Sequence, residues 1–185
     1  MSDYEEKTIK SKDIYDGAVL KLRKDKVRLP DKNQTYREII EHSGGVTILA
    51  KNENNKILMV KQYRKAVEKI LLELPAGKLD EGEEPAECAK RELWEETGYK
   101  PAKVEKLFSF YTTPGYSDEK LHLYIAKDLQ FDPGDRLDPG EFIEHAFLDP
   151  ADVMERIKNE KIIDGKTIVG LLYYIQNQDD FDEIK

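Results

Sequence analysis

The sequence predicts a mixed α/β sandwich with a strand-rich segment in front of it. Short apolar runs bounded by turn residues are interspersed with a few stretches of helical periodicity, and no regular βαβ unit recurs. The length, 185 residues, suits one domain with an appendage and is enough to bury a sizeable core. The expected division is a strand-rich segment over 1–43 and a main domain over 44–185.

Three strands are expected in the first segment. Glu6–Lys12 is the weakest; Val19–Leu29 and Thr35–His42 flank the turn Pro30-Asp31-Lys32-Asn33. Within Val19–Leu29 the apolar phase passes from Leu20 and Leu22 to Val27 and Leu29, which predicts a bulge or strong bend in that strand. Its basic residues (Lys21, Arg23, Lys24, Lys26, Arg28) read first as a solvated face and second as an anion-binding surface. Gly44-Gly45 then breaks the chain.

Val46–Ala50 and Ile57–Tyr63 read as buried strands joined by the turn Asn52-Glu53-Asn54-Asn55, and Ile70–Leu74 leads through Pro75-Ala76 into Gly77. Further strands are expected at Val104–Tyr111, Leu121–Ala126 and Phe142–Leu148. In the second of these, Leu121, Leu123 and Ile125 point inward while His122 and Tyr124 point outward. Asp149-Pro150 opens a helix carrying Val153, Met154 and Ile157. A last helix over Lys166–Gln178 places Ile168, Leu171, Leu172 and Ile175 at i, i+3, i+4 and i+7.

The most informative stretch is Gly77–Tyr99, GKLDEGEEPAECAKRELWEETGY. Its second half is a helix: Pro85 suits the first position, Glu83 and Glu84 favour the positive end of the dipole, and Gly98 suits the stop. At about 100° per residue, Glu92, Glu95, Glu96 and Cys88 share one side, beside a less polar face of Ala86, Ala89, Leu93 and Thr97. Glu92 and Glu96 repel at i and i+4, and Glu95 adds to the repulsion. Carboxylate clusters are most often solvated faces. Three focused opposite an apolar face point instead to a hard, oxygen-seeking cation such as Mg²⁺. Cys88 reads as a small packing residue, and Trp94 as either a contact to a loop or subunit or a ring lying flat on the surface.

Composition narrows the partners. Charged residues make up 37% of the chain and the net charge is −8, which opposes general attraction to nucleic acid or an anionic membrane. No apolar run reaches the length of a membrane span, no signal-peptide core opens the chain, and one cysteine excludes an internal disulfide. A cytoplasmic protein is expected.

The spacing of Gly77, Glu83, Arg91, Glu92, Leu93, Glu95, Glu96 and Gly98 resembles the Nudix hydrolase box, G-x5-E-x7-R-E-U-x-E-E-x-G-U, where U is a bulky aliphatic. Seven fixed matches arise by chance at about 10⁻⁸ per starting point at ordinary residue usage. The departure is Tyr99 in the final U position. The resemblance implies a Nudix-type α/β/α sandwich with a mixed sheet, and Mg²⁺- or Mn²⁺-dependent cleavage of a diphosphate linked to another moiety. It places the metal on Glu92, Glu95, Glu96 and the carbonyl of Ala76. Arg91 orients a carboxylate through Glu83 or Glu95, so Arg91 and Glu95 join the catalytic set. Glu83 is loop anchor or metal ligand.

Outside the box, Val60-Lys61-Gln62-Tyr63-Arg64, Glu73-Leu74-Pro75-Ala76-Gly77, Tyr36-Arg37-Glu38 and a Pro114-Gly115 loop fifteen residues past Tyr99 are similar to the ADP-ribose pyrophosphatase branch. That branch implies hydrolysis of ADP-ribose to AMP and ribose 5-phosphate by a homodimer whose N-terminal strands reach the partner. Arg37, Arg64 and Pro114 become candidates for substrate contact; each arginine also has a reading as a structural ion pair, and for Arg37, beside Glu38, that reading is nearly even. Tyr36 or Tyr116 is available to stack on a base. Glu141, in the acidic loop Asp138–Phe142, is the expected general base, with Glu144 second. The alternatives are a hydrolase of GDP-mannose or another nucleoside diphosphate sugar, and a non-catalytic nucleotide sensor. An RNA-decapping enzyme is disfavoured by the acidic charge.

Overall fold

The computed structural model describes residues 4–134 and 142–178. The chain divides into two compact units: Met1–Gly44 with Tyr111–Lys120, and Gly45–Phe110 with Leu121–Lys185. The first unit thus takes in ten residues from the middle of the chain.

The first unit is built on a three-stranded antiparallel sheet in the order β1 (Lys7–Asp16), β2 (Lys21–Arg28), β3 (Gln34–Glu41). Lys32, with φ 72°, turns the chain between β2 and β3, and Asp31 accepts from the backbone N–H of Asn33. The expected bulge lies on a different strand. β2 pairs with β3 in unbroken register, whereas β1 carries extra residues at Ile9 and Ile14 opposite β2. The polar stretch that blurs the apolar phase of β2 includes Asp25, which is buried with Val27 and accepts from Arg23 Nε. The 111–120 segment is pinned to the end of β3. Ile40 N–H donates to Tyr116 O, Asp118 N–H to Ile40 O, and His42 N–H to the Asp118 carboxylate.

The second unit has a four-stranded sheet in the order β7 (Ala76–Lys78), β4 (Gly45–Ala50), β9 (Lys120–Phe131), β8 (Tyr99–Tyr111). β4 runs parallel to β9 and antiparallel to β7, so the sheet is mixed. A second sheet orders β10 (Ile143–Leu148), β5 (Ile57–Arg64) and β6 (Lys69–Glu73). The helices are α1 (Pro85–Thr97), α2 (Val153–Lys158, entered through a 3₁₀ turn at Pro150–Asp152) and α3 (Gly165–Gln176).

All six residues of β4 are buried, because both faces of the strand are covered. Val46, Ile48 and Ala50 meet Cys88, Ala89 and Leu93 of α1, while Leu49 packs with Leu74, Ile125, Leu171 and Tyr174 on the other side. The same two-sided burial corrects the reading of β9. Tyr124 does not face solvent but packs with the α1 cluster. Alternation there separates two apolar layers rather than core from water. Among the described residues no helix is long and apolar enough to cross a membrane.

Candidate active site

The site is assembled at the loop that leaves β6 and enters α1. Pro75 O accepts from Ile48 N–H, and the three residues of β7 pair with Gly45, Val46 and Thr47 of β4. The loop backbone is thereby fixed against the central sheet before the helix begins. Gly77 has no room for a side chain: a Cβ there would lie 1.8 Å from the carboxyl carbon of Glu92. The glycine lets backbone and carboxylate meet face to face.

Helix α1 starts at Pro85 and stops at Gly98, whose φ of 77° ends it in the left-handed conformation. Its carboxylates are organised by Arg91. The guanidinium binds Glu83 through two hydrogen bonds of 2.8 Å, from Nε and Nη2. Its Nη1 reaches Glu92 at 2.8 Å and Glu95 at 2.9 Å, and Nη2 also reaches the Lys78 carbonyl at 3.2 Å. Arg91 thus holds three carboxylates and the loop at once. Glu83 accepts in addition from Asp80 N–H, closing the turn that contains Gly82 at φ 76°. The Arg91 bonds outweigh partial burial and hold the Glu83 carboxyl down at about 2.

Glu96 is different. It is only 5% exposed, and Oε2 accepts from Ala76 N–H at 2.9 Å. Burial pushes its carboxyl up to about 8, with Glu92 adding to the rise; the Ala76 bond and the charges of Arg64 and Lys166 act against it. An ionised carboxylate at this depth is held at a cost that a nearby cation would offset. Cys88 is fully buried one turn before Glu92, with Arg91 Nη2 donating to its sulfur, and burial raises its thiol far above the ordinary value, which suits packing and not nucleophilic chemistry.

Among the described residues no three His, Cys, Asp or Glu side chains close into a ready-made ion cage. The reason is visible: Arg91 takes up oxygens of Glu92 and Glu95, and Glu96 is turned to Ala76. The donor set nevertheless fits a hard divalent cation. It consists of oxygen only, on one helix side, with the loop backbone within van der Waals reach of Glu92.

Arg64, on β5, stands next to this group. Its Nε and Nη2 each donate to Glu73 at 2.8 Å, and Lys166 bonds the same carboxylate. Burial tends to raise the Glu73 carboxyl, yet the hydrogen bonds and charges of Arg64 and Lys166 leave it lowered. Sequence reasoning assigned nothing to Glu73 or Lys166, although two signals were available. Glu73 is the one charge in the apolar run Ile70–Leu74, and Lys166 sits in the first turn of a helix, where the dipole disfavours a cation.

The remaining candidates lie elsewhere. Arg37 binds Glu6 through Nε at 2.9 Å and Nη2 at 2.6 Å, not its neighbour Glu38. Pro114 is exposed in the 111–120 segment, held by the bonds of Tyr116 and Ser117 to Thr113. Both belong to the first unit, whereas Ala76, Arg91, Glu92, Glu95, Glu96 and Arg64 belong to the second. Glu141 lies outside the described residues. Glu144, in β10, is exposed with Lys61 as partner at 3.8 Å. Trp94 contacts a loop: Nε1 donates to Asp132 O at 3.0 Å, and Lys100 Nζ lies 4.6 Å above the ring.

Residues 41–168 match the NUDIX domain model, and residues 6–40 match the nucleoside diphosphate sugar hydrolase N-terminal domain. The chain belongs to the Nudix family. It is 46% identical to a methanol dehydrogenase activator of Bacillus methanolicus over 92% of each chain. It is 41% identical to an ADP-ribose pyrophosphatase of Bacillus subtilis over 94% of each. Against a GDP-mannose pyrophosphatase of Escherichia coli the identity is 36% over 76% of this chain and 77% of the other. A crystal structure described as an ADP compounds hydrolase superposes with a TM-score of 0.85 at 17% identity, covering 99% of this chain and 98% of that one.

Proposed function

We propose that this protein hydrolyses the diphosphate of ADP-ribose, giving AMP and ribose 5-phosphate, with Mg²⁺ as cofactor and Mn²⁺ able to replace it. The observation that carries the reading is the pair Glu92 and Glu96 lying against the loop at Gly77 and Ala76, with Glu95 bound to the same Arg91 as Glu92. The similarity to the Bacillus subtilis ADP-ribose pyrophosphatase over nearly the whole chain supports the choice of substrate.

The metal would be held by the three carboxylates and the Ala76 carbonyl. When bound, it supplies positive charge that offsets that of the diphosphate and makes an attacking water more acidic. Arg91 keeps Glu92 and Glu95 oriented while Glu83 anchors its other edge. Arg64 offers a guanidinium already fixed in plane to the diphosphate, a geometry suited to two-point binding of phosphate oxygens. Glu141 is the proposed base that takes the proton of the water; Glu141→Gln should lower kcat by about 10²-fold or more with metal affinity unchanged. An unaltered kcat would move the base elsewhere.

Arg37 and the Pro114 loop are proposed to contact the nucleoside. Residues 1–43 are proposed as a dimer arm of a cytoplasmic homodimer. Deleting them should convert the dimer to monomer in sedimentation velocity, and an unchanged profile would rule the arm out.

GDP-mannose is the alternative substrate, favoured by the Escherichia coli relative. The name of the Bacillus methanolicus relative speaks of activating a dehydrogenase and does not choose among diphosphates. A panel of nucleoside diphosphate sugars, with products identified by mass, separates the readings. AMP should appear from ADP-ribose with Mg²⁺ and disappear with EDTA. GMP from GDP-mannose as the dominant product would select the alternative, and silence across the panel at micromolar enzyme would sink both.

A further inference from the structure

The cluster behind Arg64 is built in a way that stability alone does not explain. Glu73 is 1% exposed and receives two cations: Arg64 on both oxygens, and Lys166 on Oε2. Lys166 is held in turn by Asp164 Oδ2 at 3.0 Å, the same oxygen that caps α3 by accepting from Thr167 N–H. One residue further, Thr167 Oγ1 accepts from Leu74 N–H at 2.9 Å. The N-terminus of α3 therefore grips both residues that lead into Pro75, Ala76 and Gly77. Buried ion networks return little net stability for the desolvation they need, and a lysine in the first turn of a helix opposes the dipole. Both costs are met at one point, beside Glu96, whose carboxyl lies in the field of Arg64 and Lys166.

The chemistry of the guanidinium shows what the arrangement accomplishes. Nε and one edge of Nη2 are taken by Glu73. Among the described residues Nη1 has no hydrogen-bond partner, so the end-on edge remains for a second anion. Arg64 with Glu73 alone is a neutral pair, which attracts an anion weakly. Adding the Lys166 ammonium to the same carboxylate returns surplus positive charge to the pair. It also holds the Glu73 oxygens in the plane that Arg64 requires. Asp164 takes back part of that charge, and shares it with the N–H groups of the helix end.

We infer that Lys166 is a positioning residue for the diphosphate: through Glu73 it orients Arg64 and keeps the guanidinium electrostatically available to phosphate oxygens. The inference rests on the reading of Arg64 as a diphosphate anchor. Lys166 touches no reacting atom, so its effect falls on binding and not on the chemical step.

Inorganic pyrophosphate, which carries the diphosphate without nucleoside or sugar, is the probe. Its Kd is read by calorimetry with EDTA present, alongside KM and kcat for ADP-ribose with Mg²⁺. Lys166→Gln should raise both Kd and KM about tenfold, the size of one charge-assisted hydrogen bond, with kcat within about threefold of the parent. Lys166→Arg should restore both to within about threefold. In an Arg64→Ala background Lys166→Gln should add nothing, since groups acting through one another are not additive. Asp164→Asn keeps a good helix cap and removes the charge that competes for the ammonium, so it should tighten pyrophosphate binding about twofold. That opposite sign is a result a merely structural network does not produce, and it decides the matter should Lys166→Gln lose its fold. An unchanged Kd in Lys166→Gln, a full effect in the Arg64→Ala background, weaker or unchanged binding in Asp164→Asn, or no pyrophosphate affinity in the parent each overturns the inference. Failure of the parent on ADP-ribose with the pyrophosphate series intact counts against the substrate alone.

Discussion

Glu96→Gln should remove at least about 10³-fold of kcat/KM for ADP-ribose while leaving the folded state no less stable than the parent. The two halves of this expectation have one cause. Glu96 is nearly without solvent, and burial pushes its carboxyl up to about 8, so near neutral pH the ionised form is disfavoured in the folded protein. A glutamine keeps the volume, and its amide oxygen can still accept from Ala76 N–H, the one hydrogen bond Glu96 makes to the loop. It removes the repulsion from Glu92 and the desolvation of a charge, both of which work against folding. What it also removes is the negative charge that would hold a divalent cation beside Ala76 and Gly77. Rates with Mg²⁺ and a thermal midpoint in EDTA measure the two sides. Near-full turnover would show that Glu96 holds no essential cation. A midpoint several degrees lower would show that the loss of rate is loss of fold.

Local features of this chain were readable in the sequence because their causes are local. Pro85 and Gly98 bound α1, and the apolar runs Val46–Ala50 and Ile57–Tyr63 fall within β4 and β5. Each depends on a few neighbouring side chains and on backbone conformation. The helix wheel likewise put Glu92, Glu95 and Glu96 on one side of α1. Cys88 lies on that side too, yet packs as a small residue in the apolar cluster, a depth that a wheel, which shows only direction, does not give. The outward placement of Tyr124 failed for a related reason: period-two alternation cannot tell water from a second apolar layer. The bulges escaped notice because β1 has little apolar signal, and every one of its residues is exposed. Partnerships across long sequence distance were the least accessible. Glu73 and Lys166 are 93 residues apart, and nothing in either segment names the other. Arg37 shows the same limit, since its carboxylate came from Glu6 in β1's approach and not from adjacent Glu38. The parts of the site within one loop and one helix were legible; the parts made by folding β5, β6 and α3 together were not.

Glu73→Gln should be among the most destabilising single changes outside the apolar core, by about 3–5 kcal/mol at pH 7. Replacing a carboxylate with an amide leaves Arg64 and Lys166 facing each other without the anion both of them bind. Lys166 retains Asp164, whereas among the described residues Arg64 hydrogen-bonds no carboxylate other than Glu73. The pH dependence carries the sign. Burial acts to raise the Glu73 carboxyl, but the Arg64 and Lys166 interactions prevail and hold it below its ordinary 4.5. A carboxyl that is more acidic folded than unfolded contributes stability in full above about pH 4.5, and loses it as pH falls through the folded value. The gap in unfolding free energy between parent and Glu73→Gln should therefore stay level from pH 7 to pH 5 and narrow toward pH 3. Urea titrations at these three values measure it. A gap that widened on acidification would mean that the carboxyl is protonated in the native network, and a gap below about 1 kcal/mol at pH 7 would mean that the two cations find other anions. In either case the hold of α3 on the chain before Gly77 would rest on the Thr167 bond to Leu74 N–H, beside the Ile48 bond to Pro75 and the pairing of β7 with β4.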